Sequence, residues 1–537
     1  MKQVTKKLIN GFLTVMLLGY YLLLAWVLHR TSYEHPESLF LSEKLKVLFE
    51  SPDSTLITLG TTFPTVVYLI SVIFVPFGYL FAPILASISL TALLFYVILN
   101  DFKEYQRVPM ILYLPITTLI FVFHPGIIYS AITGRGVAAV LLFFYLVIRS
   151  LFQYYRTQTT FYLSMTSIYL SCLIFCNDDF IWLILAFFPF IAFISIEGLK
   201  IKRDQPPILQ YFDTVNNVSQ RRKLVNRTTA IYVIVFLLPL GTLYLFRTLN
   251  QTHAGDSTYF LTSQYANWHV MGDTPIGELM SKGIIKSVGE QTQLAFQVYA
   301  TLINPLLIVG LFLFRGKVYE LLTILAPFIW SSIVLINLQT YLTIEYFLIF
   351  MVLGFVALVF YARVYINKKI TWLLVFGATM LNIMGGLFYF KHTKDGYELH
   401  FWASIRNYKS WMNEKRITEE TELASYISSI INKNNKILID DAAAFSIVAH
   451  MRDTKNAILP TDKTFLTVSE NPLSGARYIC IARNTNSMQN LTVLNEYNLE
   501  RMIQKKQFIP EIMYQTIHWS VYKLKPTPLH EQIYGAK

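Results

Sequence analysis

Residues 30–78 read RTSYEHPESLFLSEKLKVLFESPDSTLITLGTTFPTVVYLISVIFVPFG. The first half carries the acids Glu34, Glu37, Glu43, Glu50 and Asp53 and the turn formers Pro36, Pro52, Gly60 and Pro64. The second half is apolar, but it opens on TTFP and is broken by Pro76 and Gly78. A helix that crosses a bilayer needs about 20 unbroken apolar residues. Residues 61–77 are therefore expected to lie in the interface instead of spanning. The acids before them are expected in an extracytoplasmic loop, held at the membrane surface.

The rest of the 537-residue chain supplies the membrane around that loop. It is 54% hydrophobic, with 40 Phe and 34 Tyr, and apolar runs of this density are foreign to soluble domains. Runs near 8–28, 56–77, 79–99, 109–126, 134–151, 160–176, 180–198, 229–247, 294–314, 320–339, 344–362 and 370–390 make twelve. The net charge of +12 sits mainly in short loops between runs, where the positive-inside bias accounts for it, so nucleic-acid binding is not expected. Lys2, Lys6 and Lys7 place the N-terminus inside, and the densest basic segment, Lys200 to Arg227, marks another inside loop. Counting from these anchors leaves one crossing between residues 55 and 100, where two apolar runs stand. With 61–77 taken out, the chain is an α-helical polytopic membrane protein of about eleven transmembrane helices. Its N-terminus is cytoplasmic and its C-terminal domain extracytoplasmic. The alternative is twelve spans with that domain inside.

The expected organisation is a transmembrane domain over residues 1–390 and a soluble extracytoplasmic α/β domain over 391–537. The first holds the 30–78 loop and a second large loop at 248–293. In the tail, 418–432 has a helical pattern, KILIDDAAAF reads as a strand ending in Asp440 and Asp441, and RYICIA and HWSVYKL are strand-like. Cys172, Cys176 and Cys480 have no metal or redox spacing.

Several charged residues stand where chemistry is possible. Glu34, a few residues past the first span, is a candidate general base, with Glu37 in reserve. Arg135, between two glycines at an outside helix start, can grip a phosphate bidentately, and Lys44 is a second candidate for it. Asp178 and Asp179 occupy a tight turn between two runs, where charges tend to be paired or functional. They could bind an acceptor ammonium, a metal ion or Arg135. Asp256, with Tyr259, His269 and Asp273, could line a cleft. No Walker A, GxGxxG, HExxH or GxSxG motif occurs, so a nucleotide-bound donor has no cradle.

Four segments carry a resemblance: the first-loop acid followed by GTTFPTVVYLI, then HPGIIYSAITGRG, GDSTYFLTSQYANWH and the ILIDD tail. In layout they resemble the GT-C superfamily of polyprenyl-phosphate-sugar-dependent membrane glycosyltransferases, its mannosyltransferase and aminoarabinose-transferase branches most closely. The family usually has Asp in the first loop, whereas this chain has Tyr33-Glu34-His35. The resemblance implies a GT-C-like fold in the cytoplasmic membrane. It implies transfer of a sugar from a polyprenyl-phosphate donor to a glycan, lipid or protein acceptor of the cell envelope. Glu34 would be the base, Arg135 and Lys44 would hold the donor phosphate, and Asp178, Asp179 and Asp256 would shape the acceptor site or hold a divalent cation. The competing readings are a lipid-linked-sugar transporter or flippase and a catalytically degenerate scaffold of envelope glycan assembly.

Overall fold

A computed structural model describes residues 2–51, 55–102, 110–197, 199, 207–268, 270, 300–313, 318–337, 344–365, 369–393, 395–407, 418–504 and 508–527. His269 and Asp273, and with them most of the 248–293 loop, lie outside the described residues, as do the basic residues Lys200, Lys202 and Arg203. The chain separates into two compact units.

The first unit comprises residues 1–28, 84–245 and 275–408. Its helices are α1 (Lys2–Arg30), α5 (Ala82–Asp101), α6 (Met110–Phe123), α7 (Pro125–Ile132), α8 (Val137–Thr157), α9 (Thr160–Ile174), α10 (Ile181–Glu197), α11 (Pro207–Asn216) and α12 (Val218–Ala254). After them come α14 (Pro305–Leu313), α15 (Val318–Asn337), α16 (Ile344–Tyr365), α17 (Lys369–His392) and α18 (Gly396–Arg406). Among the described residues, six helices are long and apolar enough to cross a membrane, within α1, α5, α8, α10, α12 and α17. The pair α6 and α7, bent by 63° at His124, makes a seventh if counted as one span. Pro125 explains the break, because it cannot donate to the α6 ladder. Helices α9, α15 and α16 hold shorter apolar segments.

Small residues let these helices approach closely. A Cβ on Gly310 of α14 would stand 2.8 Å from Cβ of Ala357 on α16. One on Gly354 of α16 would stand 3.2 Å from the backbone of Leu306. A Cβ on Gly385 of α17 would run into the backbone of Ile303.

The second unit comprises residues 29–83, 246–274 and 409–537, so both loop segments group with the tail. Its helices are α2 (Pro36–Glu50), α3 (Thr55–Thr61), α4 (Thr65–Val72), α13 (Tyr259–Thr262), α19 (Glu419–Ile430), α20 (Asp441–His450), α21 (Phe465–Glu470) and α22 (Glu496–Gln504). Residues 55–78 form no continuous helix. Helix α3 stops at Thr61, α4 has eight residues, and a short turn at Val75–Phe77 ends on Gly78 at φ +111°, which favours glycine.

The strands are β1 (Ile437–Leu438), β2 (Ala457–Ile458), β3 (Tyr478–Ala482), β4 (Phe508–Gln515) and β5 (Trp519–Pro526), in the order β2-β1-β3-β5-β4. β1 runs parallel to β2 and β3, and β5 antiparallel to β3 and β4. Alternation along β3 puts Tyr478, Cys480 and Ala482 in one core and Ile479 and Ile481 in another. Both faces are thus covered, and Val47 of α2 belongs to the first core, beside Leu423, Ile427 and Ile447. The strand expected to end in Asp440 and Asp441 is β1, and DAAAF begins α20, because Asp440 caps it by accepting a bond from the Ala442 amide.

Replacing Gly385 with Ala is expected to lower the thermal midpoint of the detergent-solubilised protein, at a cost of about 1–3 kcal/mol for overpacking. Gly377→Ala on the same helix, where a Cβ meets nothing within 4 Å, is expected to leave it unchanged or raise it. Equal midpoints for the two variants would refute the close packing of α17.

Candidate functional site

Helix α2 starts where Pro36 supplies a preset φ and His35 Nδ1 accepts the Glu37 amide at 3.1 Å. From Phe40 to Leu48 every residue is buried, so Glu43, Lys44 and Lys46 lie inside with the apolar residues. The two lysines are matched from the tail. Lys44 Nζ lies 2.8 Å from Asp441 Oδ2 and 3.0 Å from Glu43 Oε2. Lys46 donates to the carbonyls of Val448, Ala449 and Met451 at the end of α20, where a cation suits the helix dipole. Glu50 accepts from the amide and hydroxyl of Thr454 at 2.8 and 3.1 Å.

The ion cluster is roofed by rings. Phe40, Trp268 and Phe445 form a triangle with centroids 6.0 to 6.3 Å apart, and Lys44 Nζ sits 5.3 Å from the Phe40 centroid. Burial pushes the Glu43 carboxyl up to about 8, with Lys44 opposing the rise and Asp441 adding to it. Burial also works against the Lys44 charge, but Asp441 and Glu43 outweigh it and hold its pKa above the ordinary value. Asp440 is pushed up to about 6 by burial and by Asp441, while Thr492 and the Val493 and Ala442 amides pull it back. The cluster thus holds one ammonium against Asp441 and a Glu43 that keeps its proton at neutral pH.

Glu34 is partly buried in this unit. Its Oε2 is 2.9 Å from His450 Nε2, with the Glu34 side chain 23% exposed. His450 Nδ1 stands 2.7 Å from the Ser446 carbonyl, a partner that can only accept. Both ring nitrogens thus face acceptors and both need protons. Burial disfavours that imidazolium, but Glu34 and the Ser446 carbonyl overcome it and raise the His450 pKa. Glu37 is buried in the first turn of α2. Asp256 is exposed and folds back on its own turn, accepting from the Thr258 amide and hydroxyl, both at 2.8 Å, and these bonds lower its pKa.

The remaining candidates lie in the first unit. The Arg135 guanidinium sits 5.4 Å from the Tyr129 ring centroid and 3.8 Å from Glu345 Oε2. Asn177 Nδ2 donates to Glu345 Oε1 at 3.4 Å, and its Oδ1 accepts the Asp179 amide at 2.9 Å. Asp179 takes the Tyr346 hydroxyl at 2.6 Å, and its carbonyl takes the Trp330 indole at 2.8 Å. Arg135 and Asp179 therefore belong to one network, with Glu345 and Tyr346 of α16 between them. Asp178 is half-buried beside it.

The structure gives these candidates surroundings that the sequence did not show. Lys44 faces carboxylates and is only 2% exposed, so it organises the unit and presents no cation to a phosphate here. Arg135 meets Glu345 of the first turn of α16, and Asp179 meets Tyr346 of the same turn. Asp256 closes its own turn by accepting from Thr258. Among the described residues, no three His, Cys, Asp or Glu side chains are grouped to hold a metal ion.

No protein-family model matches the chain, and no curated protein matches it. The site therefore rests on its own geometry. Sequence reasoning missed His450, Asp441, Glu345 and Tyr346. Asp440-Asp441 was visible as an acidic pair before an alanine run, but its partner was 397 residues away.

Because folding raises the Glu43 pKa, the folded state binds more protons than the unfolded one between about pH 4.5 and about 8. The stability this lends is present below that window and is lost as pH rises through it. Glu43→Gln, neutral throughout, is expected to flatten the fall of thermal midpoint across this window. A slope unchanged from wild type would contradict the assignment.

Proposed function

We propose that this chain is a GT-C-type membrane glycosyltransferase. It moves a sugar from a polyprenyl-phosphate donor to an envelope glycan, lipid or protein acceptor on the outer face of the cytoplasmic membrane. The observation that carries the reading is Glu34: an acid just past the first apolar helix, partly open to solvent and oriented by His450. The absence of a nucleotide motif in the sequence and the abundance of apolar helices agree with a lipid-borne donor. In the eleven-span path, the seven spans counted above are joined by the segments in α9, α15 and α16 and by the 294–314 run.

In this reaction the acceptor oxygen or nitrogen forms a bond to the sugar's anomeric carbon as the bond from that carbon to the phosphate oxygen breaks. The acceptor proton passes to Glu34, and the polyprenyl phosphate leaves as an anion. A carboxylate placed at the reacting hydroxyl supplies general-base catalysis on the order of 10²–10⁴-fold. Arg135 is assigned to the donor phosphate, for which its planar fork is suited, and Asp178 and Asp179 to the acceptor.

A second reading has a specific observation behind it. The first-loop acids Glu37 and Glu43 are buried and Glu34 is paired, as they would be in a scaffold that does no chemistry. Reconstituted protein with radiolabelled polyprenyl-phosphate sugars separates the two. The transferase reading predicts transfer by wild type, lowered about 10²-fold or more in Glu34→Gln at unchanged thermal midpoint. Equal transfer by Glu34→Gln overturns the base assignment. No transfer by wild type from any such donor leaves the scaffold.

A further inference from the structure

Helix α18 supplies no residue to the reaction as assigned, yet two of its side chains reach the surroundings of Arg135 by separate routes. Glu398, in its first turn, is 1% exposed, and its carboxylate accepts from three donors. Oε1 takes the Ile344 amide at 2.9 Å, and Oε2 takes the Tyr389 hydroxyl at 2.8 Å and the Thr393 hydroxyl at 2.5 Å. Asp395 caps α18 by accepting the Glu398 amide at 2.8 Å. An acid this deep is costly unless its oxygens are met, and here both are. The Ile344 amide is one of the first donors of α16, which have no partner within their own helix. Glu398 is thus a cap for α16, supplied from 54 residues away, and its charge suits that end of the helix dipole.

The cap anchors the turn that faces Arg135. Glu345 follows Ile344 directly and lies 3.8 Å from Arg135 Nη2, and Tyr346 comes next and donates to Asp179. Successive side chains of a helix point about 100° apart, so holding the rotation of this turn holds the place of Glu345. The second route is aromatic. The Arg135 guanidinium sits 5.4 Å from the Tyr129 centroid, and the Tyr129 ring meets Phe401 of α18 edge to face at 4.6 Å. Phe401 is fully buried, and it lies three residues after Glu398, on the same side of α18. One helix face therefore supports both the counter-charge beside the guanidinium and the ring beneath it.

We infer that Glu398 and Phe401 are positioning residues for Arg135, holding its guanidinium in the setting that takes a phosphate ester. Glu398 acts through the head of α16 and Glu345, and Phe401 acts through the Tyr129 ring. A guanidinium already oriented loses less rotamer freedom on binding, so loosening either support weakens the complex. The inference rests on the assignment of Arg135 to the donor phosphate.

The test is binding of polyprenyl phosphate, with polyprenol as the phosphate-free probe, to the purified full-length protein at pH 8. Burial and Asp395 push the Glu398 carboxyl up to about 7, so it is charged at that pH. Arg135→Gln is expected to raise the Kd for polyprenyl phosphate at least about tenfold, and Glu398→Ala and Phe401→Leu about fivefold each. Polyprenol binding is expected to be unchanged in all three. Glu398→Gln, whose side-chain oxygen still accepts the Ile344 amide, is expected to bind as wild type does. In the Arg135→Gln background, Glu398→Ala and Phe401→Leu are expected to add nothing, because they act through that side chain. Phe401→Leu leaves the cap intact and decides the matter alone if Glu398→Ala does not fold. Equal Kd values for wild type and Arg135→Gln would end the donor-site assignment and this inference with it. If Arg135→Gln weakens binding but the α18 variants do not, or if they weaken it further in the Arg135→Gln background, the inference is overturned and the assignment stands.

Discussion

An ammonium with almost no solvent contact, between two carboxylates, is the interaction on which the second unit depends. Taking the Lys44 ammonium and the Asp441 carboxylate out of water costs several kcal/mol per ion, and attraction at low dielectric offsets this only when the geometry is close. Here the distances are 2.8 and 3.0 Å, and one of the acids, Glu43, relieves the excess negative charge by keeping its proton. The result is specific more than strong. Helix α2 has a single angular setting and register on α20 in which Lys44 meets Asp441 while Lys46 meets the last carbonyls and Glu50 meets Thr454. The first loop is thereby part of the folded core that includes the sheet, with Val47 packed among the sheet-side residues.

That arrangement bears on Glu34. It precedes α2 by two residues and follows α1 closely, so the docking of α2 fixes where its carboxylate can reach. His450, the last residue of α20, meets it there. One helix of the tail therefore holds the buried cluster at its start and orients the candidate base at its end. In the first unit a separate network ties Arg135 to the head of α16 through Glu345, next to the turn that carries Asp179. A guanidinium with a carboxylate at 3.8 Å and a tyrosine ring beneath it is placed, and its counter-charge is already present.

Much of the helical layout was legible in the sequence, because long apolar runs leave few alternatives to a membrane-spanning helix. The break at 61–78 was legible too, since Pro64, Pro76 and Gly78 interrupt the pattern. What escaped was the pairing across sequence distance. In SLFLSEKLKVLFE the charges look like the wet face of an amphipathic helix. They are dry because α20 covers them, and nothing local to α2 records the partner. Asp441 was equally opaque, since a strand end and a helix cap share the same pair of aspartates until the fold of the following alanines is known. Strand β4 went unread because its residues are mostly exposed and do not alternate cleanly.

The central claim, that Lys44 and Asp441 hold the first loop to the tail as a coupled pair, is tested most directly by a double-mutant cycle. The unfolding free energies of wild type, Lys44→Met, Asp441→Leu and the double variant close the cycle. The account predicts a cost of about 3–5 kcal/mol for each single change, because each strands a buried charge. It predicts a double variant less destabilised than the sum by at least about 1 kcal/mol. Additive effects within about 0.5 kcal/mol would contradict it.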